Sequence, residues 1–261
     1  LDEASLTPET TVHDLEQKIR ARFEDSAPAM EYSYPRWALR WPATWLNRFV
    51  YYLLIVPFVA VMCWPRARGR DRLRGLRGPL LFVANHVAMM DSAMVLFALQ
   101  GRFRRHLTIA MGGERLRGLR HGLEGTTWFG RLLDRVSYIL VIVVFNVFAI
   151  PQKSGFRRSF AYAGEAADRG FSVLVFPEGR VTKDGKMNPF MSGIGLLAAK
   201  LNVPVVPIKI EGLFNLARER RYFSRPGTVT VTFGQPVEFP PDTDPATITR
   251  ELEKRVRELN G

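Results

Sequence analysis

Short apolar runs recur along the chain, each closed by a turn or a charged residue. Residues 80–84, 107–111, 173–176, 205–210 and 229–233 are runs of this kind, rich in Val, Leu, Ile and Phe. Runs so short and so apolar read as strands buried on both faces. Between them lie segments whose apolar positions recur every three or four residues: 92–99, 156–169, 193–201 and 246–259. These predict helices. Gly155 and Gly170 bracket the second, and Ile248, Leu252, Val256 and Leu259 mark the packing face of the last. A further apolar run, 138–150, contains Asn146 and the β-branched stretch Val141-Ile142-Val143-Val144. It predicts a buried strand or a strand-turn-strand around 141–148. After the turn Arg225-Pro226-Gly227, alternating Thr and Val predict a strand with one solvated face. Strand and helix alternate, so the pattern predicts an α/β fold, a mostly parallel sheet flanked by helices.

Ahead of this domain, expected over 79–261, two other segments stand apart. Residues 1–34 start acidic and polar, without the basic start and apolar core of a signal peptide. Thr10 and Thr11 can cap a helix carrying Val12, Leu15, Ile19 and Phe23, followed by a linker over 24–34. The segment is expected to be an extension or linker from a larger polypeptide. Residues 35–78 predict an N-terminal membrane-associated helical segment. The uncharged run 49–64 is interrupted by Pro57 and falls short of the about 20 residues a spanning helix needs. Trp37, Trp41, Trp45 and Trp64 flank it, and arginines lie on both sides: Arg36, Arg40 and Arg48 before it, Arg66, Arg68, Arg70, Arg72, Arg74 and Arg77 after. Basic residues at both ends argue against a simple crossing. They suit a kinked helical pair dipping into one leaflet, with arginines at anionic head groups. The competing reading is a buried helix of the core.

Composition narrows the partners. The 261 residues are 47% hydrophobic, enough for a substantial core, and carry a net charge of +12. That charge favours anionic partners: nucleic acid, phosphorylated substrate, acidic carrier protein or anionic lipid. No nucleic-acid-binding motif stands out, and the Trp-flanked apolar run argues for lipid instead. Arg102, Arg104, Arg105, Arg115, Arg117, Arg120 and His121 fit a membrane-facing surface, an acidic carrier's docking face or a solvated helix. One cysteine, Cys63, excludes an internal disulfide and suits a reducing compartment. With four histidines and no zinc spacing, no metal site or resident cofactor is expected.

Two strand ends carry candidate chemistry. His86 and Asp91 stand five positions apart, directly after the run 80–84. On one helix they would point about 140° apart. With His86 at a strand end and Asp91 opening the next helix, the bend can bring carboxylate to imidazole, leaving the other ring nitrogen free as a general base. The run 173–176 leads likewise into Phe176-Pro177-Glu178-Gly179-Arg180. Glu178 can bind a hydroxyl or a cation, Gly179 permits close backbone approach, and Arg180 offers a planar fork to phosphate. In parallel sheets ligands gather at the carboxyl ends of strands, so both motifs point to one rim. Taken singly, each is also an ordinary strand-to-loop turn.

Together, Asn85-His86 to Asp91, Phe176-Pro177-Glu178-Gly179 and Val203-Pro204-Val205-Val206-Pro207-Ile208 resemble the glycerolipid acyltransferases typified by 1-acylglycerol-3-phosphate O-acyltransferase. The resemblance covers roughly 79–234, and Asp184-Gly185-Lys186 through Phe190 and Gly193 is similar to the family's following loop. Two departures concern the acceptor. Arg180-Val181-Thr182 replaces the Thr-Arg usual in phosphatidate-forming members, and is similar to the acyltransferase domain of bifunctional 2-acylglycerophosphoethanolamine acyltransferase/acyl-carrier-protein synthetase. The stretch Phe148 to Lys153 lacks the arginine of the family's glycerol-phosphate motif; Lys153, Arg157 or Arg158 stand as substitutes. The resemblance implies a membrane-associated acyltransferase on the cytoplasmic face, monotopic or peripheral. It would move a fatty acyl group from acyl-CoA or acyl carrier protein to a lysophospholipid hydroxyl. His86 would be the base and Asp91 its partner; Glu178, Gly179, Arg180, Lys153 and Arg157 would bind substrate. Rival readings are a non-catalytic membrane-surface or acyl-carrier-binding module, and a hydrolase.

Overall fold

In the computed structural model, residues 32, 34–123, 127–151, 156–219 and 223–259 are described. The helix expected near residues 10–23, most of the linker after it, and Lys153 lie outside them. Residues Ser33–Gly261 make one compact unit. Its strands are β1 (Arg66–Arg68), β2 (Leu81–Ala84), β3 (Leu107–Gly112), β4 (Val147–Ile150), β5 (Ser172–Val175), β6 (Val205–Glu211) and β7 (Thr230–Phe233). They form one sheet in the order β1-β7-β6-β2-β5-β3-β4. Every neighbouring pair is parallel except β6 with β7. The fold is therefore α/β with a mostly parallel sheet, as the alternation of runs predicts. β2 and β5 are buried at every position, which is why neither alternates polar with apolar residues.

The helices are α1 (Ala43–Val50), α2 (Val56–Met62), α3 (Asp91–Ala98), α4 (Gly101–Arg104), α5 (Gly113–His121), α6 (Trp128–Phe145), α7 (Phe156–Asp168), α8 (Gly193–Leu201), α9 (Leu213–Arg218) and α10 (Pro245–Glu258). One core packs Leu81, Val83, Val173 and Val175 of the central strands against Tyr162 of α7, Leu197 of α8 and Leu252 of α10. α8 and α10 approach closely at Gly195, where an added Cβ would meet the Pro245 carbonyl oxygen at 1.9 Å. No other residue fits there without moving backbone.

Two expectations are corrected. Residues 138–145 are not strand: α6 runs unbroken to Phe145, and only Val147–Ile150 pair as β4. Thr127 caps the helix by accepting from the Gly130 amide at 3.0 Å, and Asn146, at φ 48°, ends it in the left-handed region. These end signals outweigh the mild helix penalty of the valines. The N-terminal apolar segment is not a kinked pair. Ala43–Met62 is one 20-residue helical run, long and apolar enough to cross a membrane. A π-helical turn, Tyr51–Ile55, joins α1 to α2, and the Val56 amide reaches back to the Tyr51 carbonyl. That wider turn accommodates Pro57, which has no amide to donate. Nor is the run a core helix, since Phe49, Leu53, Leu54, Phe58 and Val61 are all exposed.

α6 presents the same character. Trp128, at 78% exposure, and Phe129, Leu132, Leu133, Val136, Ile139 and Leu140 face outward. The Asn47 side-chain amide donates to the Val143 and Val144 carbonyls, each at 2.8 Å. This ties α1 to the last turn of α6, whose carbonyls lack helical partners.

Candidate active site

The parallel pairing of β2 with β5 sets Val83 level with Val175. Three residues on, both chains have left the sheet at its carboxyl rim, and His86 lies beside Glu178. Asp91 opens α3, five residues beyond His86. The bend between them closes on one atom. Asp91 Oδ2 accepts from His86 Nδ1 at 2.7 Å, the Val87 amide at 2.7 Å and the Ala88 amide at 3.0 Å. An ionised carboxylate only accepts, so Nδ1 carries the proton, and in the neutral ring Nε2 keeps its lone pair. The Asp91 side chain is 0% exposed, whereas that of His86 keeps 22%. Burial pushes the Asp91 carboxyl above the usual carboxylate range, against the pull of the imidazole and the two amides. Its second oxygen, Oδ1, is buried without a hydrogen-bond partner among the described residues.

The second motif braces the first. The His86 amide donates to Glu178 Oε1 at 2.7 Å, and the Asn188 amide and side chain donate to Oε2 at 2.7 and 2.8 Å. The Phe176 ring stacks on the imidazole, centroids 4.7 Å apart. The Thr182 amide donates to the His86 carbonyl at 3.0 Å. His86 is thus held at its amide, carbonyl, ring face and Nδ1. Asn85 anchors the same turn to β6, exchanging hydrogen bonds with the backbone of Ile210 at 2.7 and 3.0 Å.

This geometry revises several expected roles. Glu178 has both oxygens engaged and is 5% exposed, so it braces His86 and has no open face for a substrate. The Gly179 amide donates to the Phe176 carbonyl at 3.1 Å, within the turn. What Gly179 contributes is conformation: φ is +66°, and a Cβ would lie 2.6 Å from the Met191 sulfur. Arg180 is exposed, two residues before the Thr182 tie to His86. Arg157 is exposed in the first turn of α7, after β4, which is separated from β2 by β3 and β5. Asn188 has no local signal in the sequence; its pairing with Glu178 spans a loop and appears only in three dimensions. Among the described residues no group of His, Cys, Asp and Glu is arranged to hold a metal ion.

A family model described as Acyltransferase matches residues 65–211, more than half of the chain. The chain belongs to the acyltransferase family. Curated relatives agree over shorter stretches. A chloroplastic 1-acyl-sn-glycerol-3-phosphate acyltransferase, BAT2, of Brassica napus is 50% identical over 48 residues, 18% of this chain and 14% of that protein. A 1-acyl-sn-glycerol-3-phosphate acyltransferase of Limnanthes douglasii is 30% identical over 83 residues, 32% of this chain and 28% of that protein. The matched stretches thus span under a third of these relatives. The crystal structure of the 1-acyl-sn-glycerophosphate (LPA) acyltransferase PlsC from Thermotoga maritima superposes with a TM-score of 0.53. That alignment covers 95% of this chain and 90% of that one, at 19% identity, a likeness of fold.

Proposed function

We propose that this acyltransferase moves a fatty acyl group from a thioester, on coenzyme A or acyl carrier protein, to the free hydroxyl of a lysophospholipid. The observation that carries the reading is the imidazole tied at Nδ1 to a buried carboxylate while still open to solvent. His86 Nε2 takes the hydroxyl proton, and the oxygen attacks the thioester carbonyl. The tetrahedral intermediate collapses with cleavage of the carbon–sulfur bond, and the imidazolium returns the proton to the leaving thiolate. Asp91 stabilises the imidazolium in between. No enzyme nucleophile is needed; burial pushes the Cys63 thiol up to about 11, which suits an inert packing residue. Arg180 meets the acceptor phosphate at the mouth of the site. The relatives named for 1-acyl-sn-glycerol-3-phosphate support a lysophospholipid acceptor, and Arg180-Val181-Thr182 leaves the ethanolamine head group a contender.

Both substrates carry long acyl chains, so the site must meet a bilayer. The exposed apolar faces of Ala43–Met62 and α6 support residence there, on the cytoplasmic face, where coenzyme A and acyl carrier protein reside. A non-catalytic membrane or carrier-binding module is the rival. It has no use for a carboxylate held beneath a histidine by three donors.

The test is product analysis by mass spectrometry, with lysophosphatidic acid and lysophosphatidylethanolamine each offered with acyl-CoA and acyl carrier protein. At least one pairing should give the diacyl product, and His86→Ala should lower that rate by about 10²–10⁴-fold. Full activity in folded His86→Ala, or no turnover with any pairing, would overturn the reading.

A further inference from the structure

Between the end of α2, β1 and the far end of α3 lies a cavity of about 590 Å³. Arg66, Arg70 and Arg104 line it, with Tyr52, Val56 and Trp64 forming an aromatic and apolar wall. Among the described residues no acidic one lines it, and none of His86, Asp91, Glu178 or Arg180 reaches it. β1 is separated from β2 by β7 and β6, so the cavity borders the opposite flank of the sheet, three strand spacings or about 14 Å from the strand that bears His86.

Arg70 and Arg104 are held in place by hydrogen bonds. Arg70 donates to the Ala98 carbonyl at 2.5 Å and the Phe97 carbonyl at 3.2 Å, at the end of α3. Arg104 donates to the Tyr51 hydroxyl at 2.8 Å and lies 4.9 Å over the Tyr51 ring, while its Nε is buried without a partner. Arg66 projects from β1 at the rim. Among the described residues, none of the three pairs with a carboxylate. Burial, and then the neighbouring Arg104 charge, holds the Arg70 guanidinium below its usual range, as expected where positive charges crowd without an anion. Trp64 forms the wall with φ at 39°, a conformation that bulky residues rarely adopt. It is held there by the Gly227 amide, which donates to its carbonyl at 3.0 Å.

Free phosphate would need only the guanidinium forks. The wall adds a second requirement. Tyr52 and Trp64 are more than half exposed, and Tyr52 continues onto the outward apolar face of α1 and α2 through Leu53 and Phe58. A ligand that satisfies both carries a phosphate at one end and hydrocarbon at the other. We propose that this cavity is a second, non-catalytic site for the phosphate of an anionic membrane phospholipid, whose chains lie along the outer face of α1 and α2. The lipid held there is a structural neighbour of the enzyme and not its acceptor, so the proposal stands apart from the acyl-transfer reading.

The experiment titrates the whole chain, by calorimetry, with soluble short-chain phosphatidylglycerol, short-chain phosphatidylcholine and inorganic phosphate. Phosphatidylglycerol should saturate near one equivalent and bind more tightly than either comparison ligand. Arg66→Glu should weaken that binding by about tenfold or more, the scale of one charged hydrogen bond. Arg68→Glu, two residues along β1 and outside the cavity, makes the same change in net charge and should leave binding within about twofold of the unaltered protein. Equal losses in the two variants would reduce the effect to diffuse surface charge and overturn the site. Unsaturable binding, or inorganic phosphate binding as tightly as the lipid, would overturn it too, and that comparison needs no variant.

Discussion

Asp91 concentrates the chemistry of the site on one carboxylate oxygen. Three donors meet at Oδ2, and the aspartate's place in the first turn of α3 adds the favourable field of the helix amides. Asp91→Asn separates structure from catalysis. The amide oxygen can still accept from Val87 and Ala88, but it cannot support an imidazolium. We expect a folded protein, with a thermal midpoint within a few degrees of the unaltered one and acyl transfer reduced by about 10²–10⁴-fold. The same carboxylate sets an acid limit. Because burial raises its pKa, it takes up a proton at a higher pH than a solvated aspartate would on acidification. Protonation removes the acceptor that holds Nδ1–H, and a carboxyl band absent from Asp91→Asn should appear in an infrared pH titration above the range near pH 3.9 where ordinary aspartates titrate. A carboxyl band that appears only within or below that range would contradict this. His86 and Asp91 were legible in the sequence because their contact needs only a strand end, a bend and a helix start. Glu178 was legible as a site residue, but its role was not: a carboxylate at a strand end looks the same whether it meets substrate or a backbone amide.

At the scale of elements, α6 shows where the pattern misleads. Its valines and isoleucines read as strand because β-branched residues usually mark sheets. Its ends decide otherwise, and its apolar residues from Trp128 to Leu140 point mostly outward, while Ile142 and Val144 near its end are buried. An outward apolar stripe hides helical periodicity, since polar and apolar faces no longer alternate as on a core helix. The helix belongs with Ala43–Met62, to which Asn47 joins it. Leu133→Glu tests this partnership. Leu133 is about half exposed, so folding stability should hardly change. Vesicle co-sedimentation should weaken by at least about tenfold, as the transfer of one leucine from water is worth about 2 kcal/mol. Unchanged sedimentation would leave the membrane contact to Ala43–Met62 alone.

At the scale of the whole molecule, the site depends on a helix far from it in sequence. Glu253 of α10 accepts from the Phe190 amide at 2.9 Å, in the loop whose Asn188 holds Glu178, which in turn holds His86. α10 is kept close by Gly195 of α8. Gly195→Ala should therefore destabilise the protein by about 1–3 kcal/mol in a denaturant titration, toward the upper end because the obstacle is a backbone oxygen. That outweighs the helix-propensity gain of up to about 1 kcal/mol from replacing glycine. A stabilised variant would show that the two helices can separate at no cost.

The sequence by itself determined the alternation of buried runs and helices, the strand-end histidine with its aspartate, and the apolar, arginine-flanked approach to the domain. These are local: each depends on residues within a few turns of one another. Tertiary structure alone decided that β2 and β5 lie side by side, which sets Glu178 and Asn188 behind His86, and that α6 turns most of its apolar residues outward beside Ala43–Met62. It likewise decided which three arginines share a cavity. The reason is physical: a run apolar on both faces pairs equally well with any similar neighbour. Strand order is chosen by connections and packing across the entire sheet, and no single run encodes it.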